Sequence, residues 1–97
     1  MQDSLTYFLG LQKKELVEVN ESNVYPNPFQ DNFTIQSNHL IEEIEIFDLR
    51  GTQVKSIMIN SKSIILDLQN QVLGVYVVRV SHAKTKKVET HKVVKIR

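Results

Sequence analysis

The chain has 97 residues, of which 41% are hydrophobic and 24% charged, with a formal net charge of +1 and no cysteine. That length fits one domain with a thin core, because so short a chain buries only about 60–65% of the surface its unfolded form exposes. A deep catalytic cleft is out of scale, the near-neutral charge argues against a general nucleic-acid binder, and disulfide or thiolate chemistry has no residue to use.

Residues 1–10 lack the basic start and continuous apolar stretch of a secretory signal. No apolar run approaches the roughly 18–20 residues of a membrane span. The sequence therefore reads as the C-terminal piece of a longer protein whose upstream part would direct export. Residues 1–22 are expected to be a flexible leader from that cargo, with a first strand at 16–19. Leu5, Phe8, Leu9, Leu16 and Val19 also sit at helical spacing behind Ser4, which leaves a capped helix as the alternative.

Pro26-Asn27-Pro28 comes next. Each proline fixes φ, lacks an N–H and pushes its predecessor toward extended geometry, so the segment is a stiff corner and not a central strand. Tyr25 and Phe29 flank it as expected anchors. From Phe33 onward apolar residues recur with period two, the signature of half-buried antiparallel strands. Further strands are predicted at 32–37, 43–49, 53–59, 63–68, 75–81 and 88–96. Turn signals separate them, among them Ser37-Asn38-His39, Arg50-Gly51-Thr52 and Asn60-Ser61-Lys62. Val54 and Ile57 cannot share a face in a regular strand, which predicts a β-bulge within 53–59.

Gly51 is expected at positive φ in a hairpin. Gly74 is expected to let Leu73 and Tyr76 pack closely at a strand entrance. Tyr76 should be a core aromatic whose hydroxyl finds a backbone acceptor. In the final strand Val94 and Ile96 are read as inward, with Lys95 and Arg97 outward. Six of the twelve lysines and arginines lie between Lys84 and Arg97, opposed among side chains by Glu89 alone. Such an edge either discourages aggregation or offers itself to an acidic partner by strand addition.

No catalytic signature emerges. His39, His82 and His91 fall in different predicted turns and strands, without the close ligand spacing of a common zinc site. Glu42, Glu43 and Glu45 read as an exposed strand face. No Gly-x-Ser-x-Gly elbow or phosphate loop occurs, and no cofactor or metal is called for.

Taken together, Tyr25 to Pro28, the Asp48–Gly51 turn, the Gly74–Tyr76 strand and the terminal Lys92-Val93-Val94-Lys95 resemble the type A C-terminal sorting domain of the type IX secretion system. The resemblance covers about Val24 to Arg97. It departs at Gln71, where the family commonly has leucine, and Val72 or Leu73 would then supply the apolar contact. The resemblance implies a seven-stranded antiparallel immunoglobulin-like β-sandwich over 23–97. It also implies a role without catalysis: carrying an attached upstream cargo through the periplasm to the cell surface, followed by proteolytic removal in the leader. Its implied partners are the type IX translocon and shuttle proteins and a sortase-like cysteine peptidase, with no nucleic acid. Recognition would fall on Gly74, Tyr76, Lys92, Val93, Val94 and Lys95, and Tyr25, Pro26, Asn27, Pro28 and Gly51 would be structural. An Ig-like adhesion module binding carbohydrate or protein is the alternative.

Overall fold

A computed structural model describes residues 21–97. Among them are five strands and no helix: β1 (Ser22–Tyr25), β2 (Asn32–Asp48), β3 (Gln53–Asp67), β4 (Gly74–His82) and β5 (Val88–Lys95). The expectations for 1–20, including the 16–19 strand and the alternative helix, lie outside the described residues.

All strand pairs are antiparallel, in the order β1-β2-β4-β5, with β3 on the other flank of β2. β1 pairs with β2 from Thr34 to Ser37, and β4 pairs with the same flank from Ile41 to Asp48. Two strands thus share successive halves of one edge. The sheet curls between them, and the chain after β1 runs along β5, where Phe29 bridges Lys95 in parallel.

Five strands replace the expected seven because two predicted reversals are not reversals. Ser37-Asn38-His39 lies inside β2 and Asn60-Ser61-Lys62 inside β3. Between the pairs Gln36↔Ser63 and Ile41↔Ser61, β2 advances five residues while β3 advances two. The surplus bulges outward and the strand then resumes with its phase reset, burying Ile41, Ile44 and Ile46. The Asn and Ser residues that signal turns also tolerate such irregular backbone. Both flanks stay paired beyond the bulge, so the chain does not turn back.

The predicted bulge in 53–59 is present. One step along β2, Ile46 to Phe47, matches two along β3, Lys55 to Gln53, which leaves Val54 as the extra residue. Val54 and Ile57 consequently both reach the core despite their odd spacing. The core is a single cluster in which Phe33, Ile35, Leu66, Val78, Val80 and Val93 are at most 1% exposed. At about 25 cal/mol per Å² of apolar surface removed from water, this face supplies the main stabilisation.

Candidate functional site

The proline corner and the terminal strand, more than sixty residues apart, form one unit. Asn27 Nδ2 donates to the Lys92 carbonyl at 2.9 Å, and Val94 N donates to Asn27 Oδ1 at 3.0 Å. The carboxamide thereby copies the donor and acceptor of a neighbouring strand's peptide unit. Phe29 continues the pairing, its N donating to Val94 O at 2.9 Å and its O accepting from Ile96 N at 2.8 Å. Pro26 and Pro28 have no N–H to contribute, so Asn27 supplies what the backbone there cannot. Both Tyr25–Pro26 and Asn27–Pro28 are cis.

This clasp corrects the expectation of an open basic edge, since the outer side of β5 from Lys92 to Ile96 is already paired. Of the expected anchors, Phe29 is 1% exposed and meets Phe33 edge-to-face at 4.9 Å. Tyr25 is 46% exposed, and its hydroxyl donates to Gln36 Oε1.

The phase of β5 is the reverse of that expected. Val93 and Lys95 are buried, while Ile96 is 44% exposed. The register explains it: Tyr76, Val78 and Val80 face Val93, His91 and Glu89 across the β4–β5 pair, and Gly74 faces Lys95. The inward side of β5 is therefore Glu89-His91-Val93-Lys95, mostly polar, and apolar alternation alone picks the wrong face. Lys95 Nζ donates to the carbonyls of Gln69 and Gln71 at 3.3 and 2.9 Å. It pins the loop ahead of Gly74 and presents no charge to a partner. Lys92 is the exposed cation of the motif.

Tyr76 is buried as expected, and its hydroxyl donates to the Val72 carbonyl. Burial pushes its phenol above the ordinary value of 10.0, and the Asp48 carboxylate adds to the rise. Gly74 serves its backbone angle, φ +143°, and not close packing, for a Cβ there would meet nothing within 4 Å. Leu73 and Val72 do not supply the expected apolar contact, being 59% and 78% exposed. With Leu49, at 70%, they rim a shallow groove of about 280 Å³. Gly51 has φ +87° in the β2–β3 hairpin, where Asp48 Oδ1 accepts from the N of Arg50 and Thr52. The Arg50 side chain and these bonds hold the Asp48 carboxyl below its usual range.

At the other end of β5 the three histidines, expected to be scattered, converge on Glu21 and Glu89. His82 Nε2 lies 3.4 Å from Glu89 Oε2, His91 Nε2 lies 3.4 Å from Glu89 Oε1, and His39 Nδ1 lies 3.2 Å from Glu21 Oε1. Ser22 Oγ and Glu21 N donate to Glu89. Burial pushes the Glu89 carboxyl up, but these donors and the two imidazoles outweigh it and hold the group below its ordinary range. Spacing in sequence could not find this cluster, because its members come from the chain entry, the β2 bulge, β4 and β5. The three glutamates of β2 behave as a surface face: Glu45 pairs with Arg79 at 2.9 Å and Glu42 with Lys86 at 3.8 Å. Arg79 also lies 5.2 Å from the centre of the Phe47 ring.

Two comparisons with known proteins bear on this geometry. A sequence profile of the family described as "Secretion system C-terminal sorting domain" matches residues 23–96. No curated protein matches the sequence. Among solved structures, PorZ of the type-IX secretion system of Porphyromonas gingivalis, described as an essential bacterial surface component, is similar in fold. The TM-score is 0.62 at 23% identity, over 78% of this chain but 11% of PorZ. The chain thus spans about a ninth of that protein's length.

Proposed function

The chain belongs to the secretion-system C-terminal sorting domains, here a sorting signal of the type IX system, and on that premise we propose that the clasped end of the sheet is the face read during export. The observation that carries the reading is the pair of hydrogen bonds from Asn27 to Lys92 and Val94. They join two motifs distant in sequence into one surface, with Lys92 and Ile96 exposed beside it. Exposed apolar groups beside a positive charge suit a protein partner that both buries surface and steers by charge.

In this reading residues 23–97 are the signal and 1–22 the connection to an upstream cargo. Translocon and shuttle proteins bind the folded domain in the periplasm, and a sortase-like cysteine peptidase cuts in the connection at the cell surface. Lys92, Asn27 and Ile96 make contact with the carrier. Tyr76, Val93, Gly74, Gly51 and Lys95 hold the shape of the face. Of the expected seven-stranded immunoglobulin-like sandwich, the antiparallel all-β character holds, with five strands among the described residues. The Tyr76 hydroxyl, bonded to a carbonyl four residues upstream, resembles the tyrosine corner of such folds. Carbohydrate binding has weaker support: Phe29, Phe33 and Tyr76 are buried, leaving Tyr25 as the exposed aromatic among the described residues.

The test is a periplasm-directed reporter fused ahead of residues 23–97 in a host with a type IX system. Wild type should reach the cell surface, and Lys92→Glu should stay in the periplasm while remaining folded. Reversing Lys95 as well would spoil the experiment, because its ammonium is buried on two carbonyls. Normal surface delivery of folded Lys92→Glu would move recognition away from this face.

A further inference from the structure

The cluster at the opposite end of β5 carries a separate inference. Glu21, His82 and Glu89 each offer a ligand atom, and the three atoms lie within 4.8 Å of one another. Two carboxylates and an imidazole suit a borderline cation such as Zn²⁺, whereas Mg²⁺ and Ca²⁺ favour all-oxygen shells. Ligand atoms around a tetrahedral zinc lie about 3.4 Å apart given bonds of about 2.0–2.1 Å. The His82–Glu89 distance is already 3.4 Å. A modest inward turn of the Glu21 side chain completes the set.

A second observation points to a ligand independently of the acidic pair. The His82 side chain is fully buried, and neither of its ring nitrogens has a hydrogen-bond partner. An unsatisfied buried polar group costs about 1–3 kcal/mol, so an imidazole sealed beside two carboxylates is explained by an ion that takes up its lone pair. Glu21 Oε1 is likewise buried without a hydrogen bond. His39 Nδ1 lies 3.2 Å from this oxygen, at the outer side of the set. Lys87 holds Glu21 Oε2 at 3.1 Å, His91 and Ser22 sit on Glu89 Oε1, and Glu89 Oε2 accepts one hydrogen bond from Glu21 N at 2.8 Å, which leaves it a second lone pair. The carboxylate oxygen 3.4 Å from His82 Nε2 is Glu89 Oε2.

We propose that Glu21, His82 and Glu89, with His39 at the rim, form a zinc site that fastens the entry of the chain to β4 and β5. Such a clip would close a loop of nearly seventy residues and fix the point at which the leader joins the sheet. This site is distinct from the face proposed for recognition and stands or falls separately from it.

The test uses the whole 97-residue chain, stripped with a chelator and titrated with zinc chloride by calorimetry. One equivalent should bind and raise the melting temperature, and cobalt(II) should give the visible absorption of a four-coordinate ion. Glu21→Gln keeps the backbone bond to Glu89 and should weaken binding at least about tenfold, since even outer-shell changes cost 10–100-fold. His82→Gln risks misfolding, so ¹⁵N spectra of the wild-type imidazoles provide the second readout. The His82 nitrogen signals should shift on zinc addition. Absence of saturable binding, or unchanged affinity in Glu21→Gln with unshifted His82 signals, would overturn the site.

Discussion

β3 and β5 both flank the sheet, and their outer sides are finished in opposite ways. The outer side of β5 is covered by a carboxamide and a short parallel run, Asn27 and Phe29, at Lys92, Val94 and Ile96. Among the described residues nothing pairs with the outer side of β3, a strand of 15 residues. β3 instead carries Lys55 and Lys62, an extra residue at Val54 and an irregular middle, the usual means of discouraging another chain from adding to an edge. Met58 and Ile65 remain 65% and 68% exposed on it. A guarded edge can stay open, while the edge that carries Lys92–Lys95 is closed by the proline corner. What a partner meets on β5 is side chains and not a row of free backbone groups.

The comparison breaks first at the core beneath β5. Phe29→Ala and Tyr76→Ala should each cost about 3–5 kcal/mol in urea melts, since both rings are buried. A loss below about 1 kcal/mol would mean that the β5 side is not anchored as described. The Tyr76 ring can also be tested without mutation. Its phenol is raised in the folded state, so the neutral form stabilises the fold fully below pH 10.0, and that contribution is lost as pH rises through the folded value. The urea midpoint should fall in that alkaline range in wild type and do so less in Tyr76→Phe.

Lys95→Met should cost about 1.5–3 kcal/mol, the range for hydrogen bonds to a charged group. It should also loosen the loop before Gly74, read as faster amide exchange at Gln71, whose N donates to Leu68 O. Asn27→Ala should cost about 1–2 kcal/mol and sharpen the edge comparison directly. Hydrogen exchange at Val94 N should accelerate selectively while β3 is unchanged. At the small end, Met58→Ala on the open edge should stay within about 0.5 kcal/mol. A larger loss would show that something covers β3 after all.

Period two exposed the cores of β2, β3 and β4 in the sequence, because Phe33, Ile35, Ile44, Ile46, Leu66, Val78 and Val80 are apolar where the sheet is dry. It failed on β5, where the inward face carries Glu89, the half-buried His91 and Lys95, and the alternate positions carry Val88 and Ile96. Burial there follows register against β4, which hydropathy does not encode. Gly51 and the Val54 bulge were legible, since positive φ and phase slips leave marks on neighbouring residues. The Asn27 clasp and the histidine cluster were not, because each joins groups sixty or more positions apart. Strand count failed for a related reason: Asn and Ser announce irregular backbone without saying whether the chain reverses.

The clasp joins Asn27 to residues 65 and 67 positions later, and Ser22 reaches His91 across 69. Contacts so distant form late, after the nearer hairpins have set, because loop closure must precede them. A product that stops short of Lys92 would leave Asn27 with nothing to grip, however well its earlier strands had formed. If the clasped face is the one read during export, as proposed above, a chain lacking β5 would fail to present it, and the signal would report on the integrity of the last strand as well as on identity.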